Sequence, residues 1–554
     1  MSLKPELILE VPELTEEVAR AAFPKGNPYL TLRDNLGTIF EDEDFVGLFP
    51  EHGQPALPPW RLALVTIMQF RENLTDRQAA EAVRSRIDWK YLLGYDLTDP
   101  GFHFSVLSEF RARLLSGGEA ILLDKFLQRC RENGLLKERG KQRTDATRVL
   151  AAIRVMNRLE LVGETMRAAL NAIATEAPLW LRQVAPSEWY ERYGRRIEDY
   201  RLPKSQEKRA AYAQRVGEDG FQLLDLLAEK DTPKEANSLP EVNTLRLMWS
   251  RHYSRDEDKK DGGSPGQVRF KSNRELSRAS EAIESPYDTD ARYRSRYSTN
   301  WTGYLVHITE TCEDDDVHLI THVETTEATV HESQKTESIH QALVEKRLPP
   351  GEHLVDSAYI DAELLVDSRQ QHQIDLIGPG RLNNSWQART EGAYDLEQFE
   401  IDWDNQVVYC PQGKQSGNWK DGFDNSGAPL IYVQFSSMDC QPCSVRKLCT
   451  RSKRRRGMGF RPREQYEALQ EARQRLESEE GRQLYNRRAG IEGTISQGVR
   501  AFGMRQTRYR GLAKTHIQHI ATAAAINLER LVAWIDDVPR ETTRTSRFAA
   551  LAPS

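Results

Sequence analysis

Tyr485, Arg488 and Glu492 step by three and then four residues, so on a helix they project from one face and set a single carboxylate among basic and phenolic groups. The plainer reading of such a face is an exposed basic helix with an ordinary i to i+4 ion pair. Gly490 and Gly493 argue for more. Each weakens a helix interior by roughly 1 kcal/mol relative to alanine, and close approach of another backbone or of a polynucleotide would account for both. Downstream, Arg500, Arg505, Arg508, Arg510 and Lys514, with Phe502 and Tyr509 among them, form a positive and aromatic surface suited to gripping phosphates and stacking on bases.

Two other stretches carry chemistry. The run Glu352-His353-Leu354-Val355-Asp356 reads as a short apolar strand with Asp356 at its carboxyl end, where α/β folds place functional groups. Cys410, Cys440, Cys443 and Cys449 lie in YCPQGK and MDCQPCSVRKLCT, with Cys440 and Cys443 spaced C-x₂-C. Four thiols, two of them in a tight knuckle, suit tetrahedral Zn²⁺; the alternative is a reduced, metal-free cluster buried in a small fold. The next stretch, Arg451 to Arg456 (RSKRRR), is either a DNA-backbone contact or a solvated loop, and a zinc ligand at Cys449 would anchor it and favour DNA. His516 and His519 are three apart without a nearby third ligand, which fits packing or phosphate contact better than a metal site. Cys130 and Cys312 read as ordinary buried residues.

These groups need a scaffold. Behind the Tyr485–Glu492 face, Ile517, Ile520, Ala521, Ala524, Leu528, Leu531 and Ile535 recur at helical spacing and predict a helix packed on a core. Tyr304 to Thr309 and Val317 to Thr325 are rich in β-branched residues and flank the acidic turn 310–316, which predicts a hairpin. Helix-like Ser338 to Lys346, the strand ending at Asp356, helix-like Glu363 to Gln370 and strand-like Ile374 to Ile377 then suggest a mixed α/β sheet. Upstream, three short helices begin at Pro58, with Thr75 as an N-cap and Gln78 at the capping-box position. Their Arg77, Arg84, Arg86, Arg111 and Arg113 fit either a helix-turn-helix-like module on DNA backbone or a plain bundle used for packing or dimerisation. Thr144-Asp145-Ala146-Thr147 precedes a long helical stretch, Val149 to about Ala174, and more charged helix to about 250. Tyr253 to Glu275 has the charge and glycine content of a mobile connection.

With 554 residues the chain is long enough for three or four domains, each with its own core. A hydrophobic content of 39% with 29% charged residues, no apolar run near eighteen residues and no signal-peptide core point to a cytosolic protein away from membranes. Six cysteines fit a reduced compartment without disulfides. The net charge of −6 argues weakly against nucleic acid, but from Arg446 to Lys514 there are 19 Lys or Arg against 7 Glu and no Asp. Local charge decides where an anionic polymer lies.

Taken in order, LTDRQAAEAVRSRIDWKYLLG with FSVLSEFRARL, TDAT at 144–147, WTGYLVHITE at 301–310, LITHVETTEATVHES at 319–333, LVDSAYID at 354–361 and RAGIEGTISQGVRAFGMRQTRYRGLAKTHIQH at 488–519 resemble the DDE transposases of bacterial insertion sequences, in the branch with an InsH-like N-terminal helical domain. The resemblance spans roughly Leu48 to Trp534. It implies a mixed α/β fold: a ribonuclease H-like catalytic core with a helical N-terminal domain, a helical insertion after the first strand and a small β- and cysteine-rich insertion before the last catalytic helix. Carried over residue by residue, it implies a catalytic triad of Asp145, Asp356 and Glu492 holding two Mg²⁺ (or Mn²⁺) ions. Asp288 and Asp290, just before the hairpin, compete with Asp145 for the first position or else cap a turn. The flanks of Asp145 carry little strand signal, and its hairpin lies some 150 residues on, so the helical region between would be an insertion.

Three acids suit the chemistry, because phosphodiester cleavage charges both attacking and leaving oxygens and two hard divalent ions clamp both. The resemblance also places Tyr485, Arg488 and Glu492 on transposon-end phosphates. Its lysine position holds Val499, with Arg500 about 80° off the Glu492 face of an ideal helix unless Gly498 breaks it. The implied activity is metal-dependent DNA cleavage at element ends with strand transfer; the alternatives are a related nuclease or integrase and an inactive DNA-binding descendant. Expected partners are double-stranded DNA and a second copy in a synaptic homodimer, in the cytoplasm on the nucleoid. The expected divisions are an N-terminal segment 1–50, a helical DNA-binding domain 51–135, a catalytic core 136–378 and 461–536 with a helical insertion at about 160–280, a candidate zinc ribbon 379–460 and a tail 537–554.

Overall fold

A strand of mostly polar residues, β1 (Lys141–Leu150), lies at the centre of the main sheet in the computed structural model, which describes residues 2–5, 10–255, 267–380, 383, 385–539, 547 and 551. Its own residues carry little strand propensity beyond Thr144, Thr147 and Val149. Tertiary pairing forms it instead, since both of its edges are bonded and its charges meet partners on neighbouring elements. The chain leaves β1 for a helical insertion that begins with the helix Arg158–Glu176, so Val149 belongs to the strand and not to the helix. Asn157 sets that start, accepting the N–H groups of Leu159 and Glu160. The insertion has its own core around Val162, Met166, Val216, Leu245 and Trp249, and ends in a two-stranded ribbon of β2 (Tyr253–Arg255) and β3 (Val268–Phe270). The ends of the segment read as a mobile connection are thus paired strands, while residues 256–266 lie outside the described residues.

The chain then returns through β4 (Arg292–Arg296), β5 (Thr299–Thr311) and β6 (Ile320–Glu327), followed by the helix Thr336–Glu345, β7 (Glu352–Val355), the helix Ala362–His372 and β8 (Asp375–Ile377). β5 pairs antiparallel with β1, β4 and β6, while β1, β7 and β8 run parallel. The order β6-β5-β1-β7-β8, with the first strand central, agrees with a ribonuclease H-like core.

β9 (Glu400–Asp402), β10 (Val407–Tyr409), β11 (Ser416–Phe423), β12 (Pro429–Phe435) and β13 (Gly457–Phe460) make the small cysteine-bearing region. The helices Arg463–Glu477 and Glu479–Asn486 lead from it through a 3₁₀ turn, Arg487–Ala489, into the helix Gly490–Phe502. The last long helix, Leu512–Ile535, is buried along Ile517, Ala521, Ala524, Leu528 and Leu531, the stripe read from sequence.

That helix is also where the amino-terminal helices dock. Pro59–Arg71 is buried almost throughout and shares one core with the Leu512–Ile535 helix, β5 and β6. Residues before 50, whose mixed and acidic composition carries no clear pattern, supply Tyr29, Leu32, Phe40 and Phe45 to the same core. The Thr75–Gln78 capping box is present at the start of the helix Asp76–Ser85. Among the described residues no helix is long and apolar enough to cross a membrane.

Candidate active site

The parallel register of β1 and β7 pairs Lys141 with Glu352 and Thr144 with Val355. One step further sets Asp145 beside Asp356. Asp356 begins the turn after β7, where its Oδ1 accepts the Ala358 N–H at 2.8 Å and its carbonyl accepts the Tyr359 N–H at 3.1 Å. On β1, Arg143, Asp145 and Thr147 share one face by strand alternation. That face meets the carboxyl-terminal helices: Arg143 donates to the Arg487 carbonyl at 2.6 Å, Arg488 to Asp145 at 3.0 Å and Arg505 to Thr147 Oγ1 at 2.9 Å.

Arg488 is the hub. Its second nitrogen lies 3.5 Å from Glu492, one helical turn on, and its guanidinium carbon lies 6.0 Å from the Tyr485 ring centre. Tyr485 and Arg488 therefore face Asp145 and Asp356, along a helical path tightened by the 3₁₀ turn, and Glu492 joins them through Arg488. Their exposure differs, with the Asp145 side chain 20% exposed, Arg488 17% and Glu492 68%. Burial, reinforced by Asp356, lifts the Asp145 carboxyl above its ordinary range despite the Ala146 N–H and the Arg488 guanidinium. Burial disfavours the Arg488 charge as well, yet Asp145, Tyr485 and Asp356 outweigh it and raise its pKa.

A second charged centre lies beside the first, and the sequence reading missed it. Glu310, on β5 opposite Arg143, is fully buried. It accepts hydrogen bonds from Arg143 Nε at 2.7 Å, Arg530 Nη1 at 2.7 Å and the Thr494 hydroxyl at 2.6 Å. Burial would raise this carboxyl, but Arg530 and Arg143 hold it below its usual value. Arg143 stands two residues before Asp145 and Thr494 two residues after Glu492, so this cluster ties the strand of one acid to the helix of another. Its signal in sequence is one acid in a strand-forming run, Tyr304 to Thr311, where a buried charge requires a partner.

Gly490 belongs to the same arrangement. A Cβ there would lie 2.0 Å from Arg143 Nη1, so the close approach is that of a buried guanidinium and not of a backbone or polynucleotide. At Gly493 a Cβ would meet nothing within 4 Å. The helix runs unbroken through Gly498 to Phe502, which leaves Arg500 exposed on its last turn and off the Glu492 face.

The predicted basic surface divides. Arg500, Arg510 and Lys514 are exposed, with Arg510 stacked 5.4 Å from the Tyr287 ring centre. Arg505 is drawn to Thr147, and burial followed by Arg148 lowers its pKa. Arg508 turns inward, donating to the Leu74 carbonyl at 2.8 Å and to Asn73, over the Phe70 ring; together with Arg71–Glu529 at 2.8 Å it fastens the amino-terminal helices to the core. A guanidinium so engaged is a clasp, unlike the phosphate contact read from sequence. The amino-terminal arginines likewise have internal partners: Arg77 over Phe104, Arg84 on Glu81, Arg86 on Glu72 and Asp88, Arg111 on Asp76, Arg113 over Phe49. Asp288 accepts the buried Tyr304 hydroxyl at 2.5 Å, and Asp290 accepts the Leu512 N–H at 2.9 Å at the head of the long helix. His516 and His519 both turn to Thr325 Oγ1, at 3.2 and 2.8 Å, in a packing role.

Cys410, Cys440, Cys443 and Cys449 line one cavity of about 350 Å³, while Cys130 and Cys312 are buried elsewhere. Among the described residues no three His, Cys, Asp or Glu side chains converge on a metal-sized point as they stand.

Compared with known families, residues 17–113 match the model of a transposase domain (DUF772) and residues 409–532 that of a transposase DDE domain. The second match holds the cysteines and Glu492, and Asp145 and Asp356 precede it. No curated protein matches the chain. Both matches, near the two ends of the chain, are to transposase domains, and they support a DDE-type transposase of an insertion sequence.

Proposed function

We propose that this transposase cuts double-stranded DNA at the ends of its element and joins them to target DNA, with Asp145, Asp356 and Glu492 as the acids that hold its divalent ions. The observation that carries this reading is the adjacency of Asp145 on β1 and Asp356 just past the end of the parallel strand β7, with Arg488 bridging from Asp145 to Glu492. Two carboxylates side by side, one of them lifted in pKa by burial and by its neighbour, leave negative charge that a single guanidinium does not balance. All donors are hard oxygens, which suits Mg²⁺ or Mn²⁺ and not a soft metal. Bound there, two such ions supply charge stabilisation at the attacking and leaving oxygens.

The chain's own groups do the rest. Glu492, mostly exposed on its helix, is free to turn towards the strand ends. Arg488 and Tyr485 stand where a scissile phosphate would enter, with Arg500, Arg510 and Lys514 along the surface beyond for the duplex backbone. Asp145 fits the first acid better than Asp288, one oxygen of which accepts the Tyr304 hydroxyl, or Asp290, one oxygen of which accepts the first N–H of the long helix, because Asp145 is the one that stands beside Asp356. Bringing two element ends together calls for two copies, so a homodimer is the expected assembly on DNA.

The test is cleavage of a labelled duplex carrying the adjoining element end, with Mg²⁺ or Mn²⁺, by wild type and by Asp356→Asn. Wild type cuts at the element boundary. The variant keeps duplex binding and loses more than the roughly 100-fold that removal of a supporting contact to a metal site costs. Tight binding without cutting in either metal, with paired ends supplied, overturns the enzymatic reading in favour of a DNA-binding descendant.

A further inference from the structure

The densest group of metal-ligating side chains outside the acid site is in the region of β9 to β13. Its apolar core is small, built around Val408, Val433 and Phe435, and Cys410, Cys440 and Cys449 pack against it. A core of that size rarely holds a fold without a staple. The candidate staples are these thiols, none of which is in a disulfide.

Their settings differ, but all four border one space. Cys410 opens a tight turn in which its N–H donates to the Lys414 carbonyl at 2.8 Å and its carbonyl accepts the Gly413 N–H at 2.8 Å. Gly413 has φ +72°, and the turn aims the Lys414 N–H at Cys410 Sγ, 3.3 Å away. Cys440 closes the short helix Ser437–Cys440, Cys443 comes three residues later, and Cys449 closes Arg446–Cys449. All four line the same cavity, and Cys449 lies within electrostatic reach of the other three.

We infer that Cys410, Cys440, Cys443 and Cys449 bind one structural Zn²⁺ that staples the turn after β10 to the two short helices. Thiolates are the soft donors zinc takes in closed four-coordinate sites, and each thiol releases its proton on binding. The cavity that all four line is where the ion would sit. The ion would also fix the basic loop carboxyl-terminal to Cys449. Arg456 donates to the Cys449 carbonyl at 2.8 Å and Arg446 to the Ser452 carbonyl at 2.7 Å, so the exposed Arg451, Lys453, Arg454 and Arg455 sit on a loop anchored at the site.

This inference stands apart from the acid site and is tested on the full chain without DNA. Expressed with zinc, wild type should carry about one zinc per chain by elemental analysis, as a closed four-sulfur site requires. With Co²⁺ in place of zinc, it should show sulfur-to-cobalt charge transfer and the strong visible bands of a tetrahedral site. Cys440→Ser and Cys443→Ser should each lose most of the metal, while Cys130→Ser should keep it. Metal-free wild type after zinc supplementation, with no thiolate–cobalt absorption, overturns the proposal whether or not the serine variants fold. So does full zinc content in a soluble Cys440→Ser variant. Loss of DNA cleavage in Asp356→Asn leaves the zinc content unchanged.

Discussion

Asp145 and Glu310 lie on neighbouring strands of one sheet, both largely withdrawn from water, and their carboxyls shift in opposite directions. Glu310 is met by two guanidiniums and a hydroxyl, and its charge is compensated within the chain. Asp145 has one guanidinium, shared with Glu492, and a second carboxylate beside it. A buried charge that the fold satisfies is scaffold, and one that it leaves under-compensated is a candidate for the cations proposed above. The two centres are joined through β1 and the Gly490–Phe502 helix, so the satisfied one fixes the position of the other.

The largest effect should come from breaking the satisfied centre. Glu310→Gln leaves Arg143 and Arg530 buried against a neutral amide and should cost about 3 to 5 kcal/mol, the usual result of removing one partner from a buried pair. Urea denaturation measures it, and a loss under about 1 kcal/mol would remove Glu310 from the scaffold role.

The glycines give the next contrast. Gly490→Ala adds a methyl group where Arg143 is held by Glu310 and the Arg487 carbonyl, and should destabilise by about 1 to 3 kcal/mol although alanine is the better helix former. Gly493→Ala meets open space and should stabilise by up to about 1 kcal/mol. If Gly493→Ala then weakens DNA binding, the polynucleotide is what approaches at that position. Equal stabilities for the two variants would mean that Arg143 yields freely.

The smallest effect belongs to Asp145. Its folded pKa is raised, so above the unfolded value near 3.9 the ionised carboxylate subtracts from stability. Asp145→Asn should therefore leave the unfolding midpoint unchanged or raise it at neutral pH, with the difference shrinking as the pH falls through about 4, while cleavage is lost. A clear destabilisation at neutral pH would make Asp145 another satisfied charge and end the comparison.

Much of this was legible in the chain. Helical spacing placed Tyr485, Arg488 and Glu492 together and marked the buried stripe of the Leu512–Ile535 helix, because side-chain direction on a helix depends only on residue number. Asp356 could be read from a short apolar run that ends on an acid. β1 could not, since its residues favour no strand by themselves and it forms by pairing with β5 and β7, the former some 150 residues away. Arg508 was misread for a related reason: composition records a cation, and only packing shows that it faces Leu74 and Phe70 and not solvent.

The local elements, the acids at their ends and the grouping of the four cysteines were therefore written in the chain, because all of them depend on residue type and short spacing. Folding in three dimensions decided that Asp145 lies beside Asp356, that Glu310 with Arg143 and Arg530 holds the acid-bearing strand and helix in place, and which arginines face outward. Those outcomes depend on contacts between residues hundreds of positions apart, where burial and pairing, and not the identity of any one residue, set the free energy of a charge.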